Sequence, residues 1–172
     1  MQKVYYASFL THIGKIYLAA TQRGICMVSL GYKSKKGFIE EIKNQKGVEG
    51  KDIVRNDNCF TAIKNDIRRY LSGEAVSFRR HTLAIDGTGF QKKVWAALSH
   101  IPYGKVLTYK QVAEKIGAPN AFRAAGSACG ANELPIIIPC HRVIASNGGL
   151  GGFSGGLKLK RFLLSLEGVE LS

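Results

Sequence analysis

The sequence predicts an α/β N-terminal module built on an antiparallel sheet, followed by a mainly α C-terminal domain with a helix-turn-helix. Strand-like runs separated by turn signals fill the first third of the chain, and two helical patterns follow them. Short helical segments joined by tight turns dominate the second half. The turn-rich run Asp86-Gly87-Thr88-Gly89 lies between these regions. We therefore expect two domains, residues 1–86 and residues 87–172.

The N-terminal module opens with three β-rich runs. Turn signals at residues 12–14 and 22–24 separate them, and the runs are Lys3–Leu10, Lys15–Ala20 and Ile25–Leu30. Apolar residues at helical spacing then predict helices over Gly37–Lys46 and Cys59–Leu71, and Gly73 provides a stop for the second. This half of the chain contains no cluster of catalytic residue types.

Four helices are predicted in the second domain. They are Phe90–Ser99, Tyr109–Ile116, Ala121–Ala131 and Leu157–Glu167. Thr108 followed by Gln111 is a capping-box pattern, which marks the start of the second of these helices. The four residues 117–120 end that helix and begin the next, so the pair is a helix-turn-helix candidate.

The helix predicted over Ala121–Ala131 is rich in small residues and has one long cationic side chain, Arg123. A surface of small residues allows close approach to the backbone of a partner such as DNA. The alternative interpretation is tight packing against another helix of the same protein, and the composition alone does not separate the two.

The chain is strongly basic. It has 172 residues, of which 25 are Lys or Arg and 12 are Asp or Glu, giving a net charge of +13. Such a charge favours a polyanionic partner, most often nucleic acid, over a generally basic proteome. No stretch approaches the length of a membrane span and the N-terminus does not resemble a signal peptide, so we expect a cytoplasmic protein without a membrane partner.

The four cysteines are Cys26, Cys59, Cys129 and Cys140, and none belongs to a C-x-x-C pair. That spacing excludes a zinc ribbon and a thioredoxin-type motif. We expect no metal site, although Cys26 and His81 could contribute to one. Whether Cys26 and Cys59 form a disulfide is left undecided by the sequence. The plain interpretation of three of the cysteines is that they are small buried hydrophobic residues.

The pentapeptide Pro139-Cys140-His141-Arg142-Val143 follows the apolar run Ile136–Ile138 and places a thiol beside an imidazole. A thiol becomes a nucleophile when a neighbour accepts or stabilises its proton. Glu167 is the best candidate for a carboxylate that orients the imidazole, and an exposed helix-end charge is the alternative for it. A cysteine protease, a DNA-binding module with a structural cysteine and a redox-sensing regulator remain rival interpretations.

Several ordered blocks over residues 90–168 closely resemble the O6-alkylguanine-DNA alkyltransferases, also called methylated-DNA–protein-cysteine methyltransferases. The blocks are Phe90-Gln91-x-x-Val94-Trp95-x-x-Leu98, Ile101-Pro102-Tyr103-Gly104, Thr108-Tyr109-x-x-Val112-Ala113, Arg123-Ala124, Asn132 through Val143, Phe153-Ser154-Gly155-Gly156 and Leu166-Glu167-Gly168. The first half resembles the variable N-terminal module of the family only loosely. The resemblance implies a ribonuclease H-like first domain and a winged-helix-like second domain.

The resemblance also implies a function, direct reversal of DNA damage in a single turnover. An O6-alkylguanine, chiefly O6-methylguanine, is flipped out of the duplex and its alkyl group passes irreversibly to Cys140. His141, acting through a water, and Glu167 activate the thiol, and Asn132 orders the turn that leads to it. A cysteine-free subgroup of relatives only binds the lesion, and Cys140 argues against that class.

The remaining roles implied by the resemblance concern DNA and the guanine pocket. Arg123 fills the gap in the base stack, while Tyr109 presses on the phosphate and can give a proton to N3 of the base. The other residues of the DNA-facing helix are Ala124, Gly126 and Ser127. The pocket residues are Pro135, Val143, Phe153 and Ser154, and Phe153 stands where many members have Tyr. We expect no cofactor, a monomeric protein, and double-stranded DNA containing O6-alkylguanine as the partner.

Overall fold

The computed structural model describes residues 2–31 and 34–170, and its first compact unit is built on a four-stranded sheet. The strands are β1 (Val4–Thr11), β2 (Gly14–Thr21), β3 (Gly24–Gly31) and β4 (Ile53–Arg55), in the order β3-β2-β1-β4. The three predicted strands pair antiparallel, whereas β4 pairs parallel to β1. The sheet is therefore mixed. The pattern missed β4 because three residues are too few to show a period.

The core of this unit forms on both faces of β2. Four consecutive residues of that strand, Ile16 to Ala19, are buried, so neither face meets water. On one face the ring of Tyr17 stacks on Phe38 with centroids 5.2 Å apart. Phe38 belongs to helix α1 (Lys35–Lys46). This helix begins two residues before the predicted position because the Ser34 hydroxyl accepts a hydrogen bond from the Gly37 amide.

A buried carboxylate ties the end of the first unit to its second helix, α2 (Thr61–Leu71). Asp66 accepts hydrogen bonds from Arg80 at 2.8 and 2.6 Å, and its Oδ2 lies 2.7 Å from Nε2 of His81. His81 is thus engaged in a structural contact. Cys26 is buried and Cys59 is exposed, and neither forms a disulfide. Within residues 2–31 and 34–170, no three metal-ligating side chains lie together.

The second unit comprises residues 73–76 and the chain from residue 86 onward. Its elements are α3 (Gly89–Leu98), β5 (Leu107–Thr108), α4 (Tyr109–Lys115), α5 (Phe122–Gly130), β6 (Val143–Ile144) and α6 (Leu157–Leu166). The four predicted helices are present with bounds shifted by one residue or less at each end. None of the helices in the described part of the chain is long and apolar enough to cross a membrane.

Side-chain caps fix where two of these helices begin. The hydroxyl of Thr108 accepts from the Gln111 amide, and the Gln111 side chain accepts from the Thr108 amide at 2.7 Å. Thr88 and Gln91 form an equivalent capping box at the start of α3. Each box satisfies two amide groups that the helix leaves without a partner. The capping box predicted at Thr108 is confirmed, and the one at Thr88 was not predicted.

Helices α4 and α5 form the predicted helix-turn-helix. Gly117, which follows the end of α4, has a φ of 74°, a conformation that favours glycine. The two helices pack against each other, and α3 packs against both. The indole Nε1 of Trp95 donates to the carbonyl of Ala128 at 2.8 Å, which fixes α5 against α3.

A short parallel ladder brings the candidate site together. Leu107 of β5 pairs with Val143 of β6, and Thr108 pairs with Ile144. Tyr109 begins α4 directly after β5, and Cys140 lies three residues before β6. The ladder therefore places the start of the helix-turn-helix beside the segment that carries the predicted nucleophile. Neither strand was predicted, because each has only two residues.

Candidate active site

The segment from the end of α5 to the thiol is organised by one amide side chain, that of Asn132. Its Oδ1 accepts from the Leu134 amide at 3.0 Å, and its Nδ2 donates to the Ile138 carbonyl at 2.8 Å. The same Nδ2 donates to Sγ of Cys140 at 3.1 Å. Asn132 is buried, so it holds both ends of the turn and contacts the sulfur atom as well.

The backbone of this segment adopts an unusual conformation. Ile136 is the one non-glycine residue with a positive φ, 72°, in the described part of the chain. A β-branched residue in that region costs on the order of 1–3 kcal/mol and persists only when its surroundings enforce it. Ile136, Ile137 and Ile138 are all buried. Two residues later, the Cys140 amide donates to the Ile138 carbonyl at 2.8 Å across Pro139, which completes the bend before the thiol.

The thiol of Cys140 is buried, with 3% of the residue exposed. Burial raises its pKa because a thiolate is poorly solvated in the interior. The hydrogen bond from Asn132, the nearby Lys160 ammonium and the backbone amides of Cys140 and His141 act in the opposite direction. The surroundings therefore keep the proton on sulfur at rest while supplying donors that favour the thiolate once the proton leaves.

His141 and Glu167 are in direct contact. Nε2 of His141 lies 2.7 Å from Oε1 of Glu167, and both side chains are fully buried. Burial lowers the pKa of His141, although Glu167 acts in the opposite direction, so the resting imidazole is neutral. With a proton on Nε2 for this hydrogen bond, the buried Nδ1 is the nitrogen that can accept a proton.

Arg142 provides the positive charge that the Glu167 carboxylate needs in the interior. Its Nε and Nη2 donate to the carboxylate at 2.9 and 3.0 Å, and its Nη1 donates to the Ile101 carbonyl at 2.6 Å. The Gly104 amide donates to Oε2 of the same carboxylate at 3.1 Å. Neither Arg142 nor Gly104 was predicted as a site residue. Arg142 could have been suspected, since it follows His141 directly.

Close contact explains the glycine at position 104. Its φ is 71°, and a Cβ atom there would lie 2.9 Å from the carbonyl oxygen of Glu167. A larger residue would push the end of α6 away and separate the carboxylate from His141. The neighbouring Tyr103 hydroxyl donates to the Leu166 carbonyl at 2.9 Å and fixes the same helix end.

Lys160 is a fully buried lysine that was not predicted as a site residue. Its Nζ donates to the carbonyls of Val143 and Leu150 at 2.5 Å and of Gly152 at 3.1 Å. Burial lowers its pKa to about 8, while Cys140 and Cys129 act in the opposite direction. Lys160 thus joins α6, the strand after Cys140 and the glycine-rich loop at 150–156, and it brings a cation near two thiols.

Tyr109 spans the gap between the helix-turn-helix and the glycine-rich loop. The Gly152 amide donates to its hydroxyl at 3.3 Å, and a Cβ atom at Gly151 would lie 2.7 Å from that hydroxyl. On the other side its ring lies 3.7 Å from where a Cβ atom of Gly126 would be. Burial raises the pKa of Tyr109, so its hydroxyl keeps its proton at neutral pH and can act as a donor.

These groups surround a cavity of about 350 Å³. Its lining includes Tyr109, two glycines of α5 (Gly126 and Gly130), the loop residues Phe153 and Ser154, and the thiols Cys129 and Cys140. Of the predicted pocket residues, Phe153 and Ser154 thus line the cavity. Pro135 and Val143 are buried in the neighbouring segment, and the Val143 carbonyl is engaged by Lys160.

Cys129 is a second thiol in this cavity that was predicted only as a small buried hydrophobe. Burial raises its pKa to about 12, and Cys140 acts in the same direction. Cys140 differs from Cys129 because the Asn132 hydrogen bond and backbone amides oppose the rise in the pKa of Cys140. Both thiols of the cavity are therefore protonated at rest, and Cys140 differs in having hydrogen-bond donors that favour its thiolate.

The outer face of α5 presents the predicted DNA-facing residues. Arg123, Ala124 and Ser127 are exposed, whereas Gly126 is partly buried and faces the ring of Tyr109. The Arg123 guanidinium lies 5.6 Å from the centroid of the Phe122 ring, which is 44% exposed. Phe122 was not predicted as a site residue.

The fold and the site define a class of protein in which a buried cysteine lies beside a helix-turn-helix. Hydrogen-bond donors are arranged around its thiol. Two family models match the two units. Residues 4–85 match the ribonuclease-like domain of 6-O-methylguanine DNA methyltransferase, and residues 89–169 match its DNA binding domain. The chain belongs to this family, and the predicted resemblance and fold class are confirmed.

Relatives over nearly the full length support this assignment. A methylated-DNA–protein-cysteine methyltransferase of Methanosarcina acetivorans is 43% identical over 96% of this chain and 99% of its own. The inducible enzyme of that name from Bacillus subtilis is 38% identical over 95% and 90%. The structure of Mycobacterium tuberculosis OGT in complex with DNA superposes with a TM-score of 0.80 at 34% identity, covering 95% of this chain and 92% of that chain.

Replacing Lys160 with methionine should destabilise the protein. The substitution removes the donor shared by three carbonyls, and we expect the free energy of unfolding to fall by about 2 kcal/mol. Urea denaturation followed by fluorescence measures this difference. Lys158→Met, at an exposed lysine of the same helix, is the matched control. Equal stability of the two variants would show that the contacts of Lys160 contribute nothing.

The lowered pKa of His141 predicts a loss of stability in acid. The unfolded imidazole takes up a proton near pH 6.5, whereas the buried ring resists it until lower pH. Stability attributable to His141 is therefore present above about pH 6.5 and falls as pH decreases below that value. We expect the unfolding free energy of the wild type to decrease more steeply between pH 6.5 and 5 than that of His141→Gln, by up to about 1 kcal/mol per pH unit.

Urea denaturation at a series of pH values tests this expectation. If the wild type instead gained stability relative to His141→Gln on acidification, the native imidazole would be the protonated form.

Proposed function

We propose that the chain repairs DNA by direct reversal, transferring an alkyl group from O6-alkylguanine, chiefly O6-methylguanine, to Cys140. The observation that carries the proposal is the position of the Cys140 thiol in a cavity, in contact with Asn132 and next in sequence to a neutral His141 held by Glu167. Family membership and the DNA complex of a relative support DNA as the partner.

The proposed chemistry is a displacement at the alkyl carbon. The Cys140 sulfur forms a bond to that carbon as the bond from the carbon to O6 of guanine breaks. The thiol proton passes through a water to Nδ1 of His141, and Glu167 stabilises the imidazolium that forms. Tyr109 gives a proton to N3 of the departing guanine, and the proton that His141 took up returns through water to Tyr109, so the net change moves one proton from sulfur to guanine.

The two thiols of the cavity differ in their suitability for this step. Burial raises the pKa of both thiols, but Asn132 and the backbone amides stabilise developing negative charge on Cys140. A thioether at Cys140 is a chemically stable product. Each molecule therefore acts once.

Access of the lesion to Cys140 requires base flipping, because the thiol is buried and a stacked guanine is out of reach. In this proposal α5 lies in the minor groove, where Ala124, Gly126 and Ser127 allow close approach. Arg123 fills the gap in the stack, and Tyr109 presses on the phosphate. The net charge of +13 supports binding to the DNA backbone.

The same proposal covers the partner and the setting. The protein acts as a monomer in the cytoplasm on double-stranded DNA that contains O6-alkylguanine, and it uses no cofactor, since the sulfur and the proton carriers belong to the chain. Residues 87–172 carry both DNA binding and transfer, with Pro135, Val143, Phe153 and Ser154 surrounding the guanine. Phe153 cannot donate a hydrogen bond to the base, so it contributes by contact alone.

Intact mass spectrometry tests the proposal. After incubation with a duplex that contains one O6-methylguanine, the protein should gain the mass of one methylene group, about 14 Da, and peptide mapping should place it on Cys140. Cys140→Ser should gain no mass, and Cys129→Ser should gain the same mass as the wild type. Unchanged wild-type mass would contradict the proposal and favour a protein that only binds the lesion. Labelling that survives Cys140→Ser would contradict it by showing that another residue accepts the alkyl group.

A further inference from the structure

The first turn of α5 displays a large apolar side chain where the rest of that face is small. Phe122 is 44% exposed and is the first residue of the helix, and the next residue is Arg123. The other exposed residues of α5 are Ala124, Ser127 and Gly130. Single exposed apolar side chains are common on protein surfaces, so the significance of Phe122 comes from its position beside Arg123 on the predicted DNA-facing helix.

The contact with Arg123 makes the two side chains one unit. Adjacent helical positions point about 100° apart, yet the guanidinium lies 5.6 Å from the Phe122 ring centroid. A flat cation next to an aromatic ring presents a planar, largely apolar surface with one positive charge. Such a surface matches nucleic-acid bases and sugars, which offer flat faces beside phosphates.

We propose that Phe122 is a further DNA-contacting residue, which packs into the minor groove at the base step beside the one that Arg123 fills. The inference rests on the proposed function, because it places Arg123 in the stack. Phenylalanine is among the side chains that wedge between base steps and unstack them. By occupying the neighbouring step, the ring favours extrusion of the guanine and supports the guanidinium in the gap.

Charge and position both select DNA as the occupant of this surface. The chain has a net charge of +13, and α5 lies within the region that matches the DNA binding domain of the family. The surface is continuous with Arg123 and with the glycines of α5 that line the cavity of Cys140. A protein partner would have to cover this same face and would block DNA.

The test compares the rate of alkyl transfer from a base that must be flipped out of duplex DNA with the rate from a free base. Phe122→Ala should slow alkyl transfer from a duplex containing O6-methylguanine about tenfold, in keeping with the loss of one aromatic contact to DNA. Transfer from free O6-benzylguanine, which needs no flipping, should stay within twofold of the wild type. Phe122→Tyr should retain the duplex rate, and Arg123→Ala should show the same selective loss as Phe122→Ala.

Two controls separate a DNA contact from a change in the protein. Leu10→Ala removes an exposed apolar side chain of the N-terminal sheet, 74% exposed, and should leave both rates unchanged. The dependence of duplex affinity on salt should have the same slope in Phe122→Ala as in the wild type, because no charge is lost.

The outcomes distinguish a failure of the role inferred for Phe122 from a failure of the proposed function. Equal rates for wild type and Phe122→Ala on duplex, equal losses on both substrates, a Tyr variant as slow as the Ala variant, or a reduced salt slope would each overturn the role of Phe122. Absence of transfer in the wild type would instead overturn the proposed function.

Discussion

The buried carboxylate of Glu167 is the interaction on which the rest of the site depends. It joins His141, Arg142 and the Gly104 amide, which come from a turn and a loop, to the end of α6. Breaking such a buried pair from one side costs several kcal/mol, because the remaining charge has no solvent. The network therefore fixes the imidazole of the residue that follows Cys140 in sequence. In the proposed mechanism, the guanidinium allows the carboxylate to stay charged when this imidazole accepts a proton.

A second constraint holds the cavity in shape around the thiol. Asn132 closes the turn before Cys140, and Lys160 joins the strand after it to the glycine-rich loop. Both side chains are buried and both donate to backbone carbonyls, so their geometry is set by the main chain. The same two groups favour a thiolate electrostatically. Position and reactivity of the sulfur thus depend on the same contacts.

Local sequence was sufficient to predict the elements that carry a clear signal. The capping box at Thr108 and the Cys140-His141 pair act through near neighbours, and Glu167 was found because few acids occur in the second half of the chain. Lys160, Gly104 and Cys129 were missed because their importance comes from contacts with residues distant in sequence. Lys160 lies in an amphipathic helix whose other lysine, Lys158, is exposed, and the pattern does not distinguish them. Strands β4, β5 and β6 were too short to show a period.

The single-turnover rate of methyl transfer in Glu167→Gln tests the central claim most directly. The amide keeps the size of the side chain but removes the charge that stabilises the imidazolium, so the rate from duplex should fall at least about a hundredfold. Duplex affinity should remain that of the wild type, and Glu170→Gln, at an exposed glutamate three residues further on, should transfer normally. A Glu167→Gln protein that is folded, binds duplex and transfers at the wild-type rate would contradict the account.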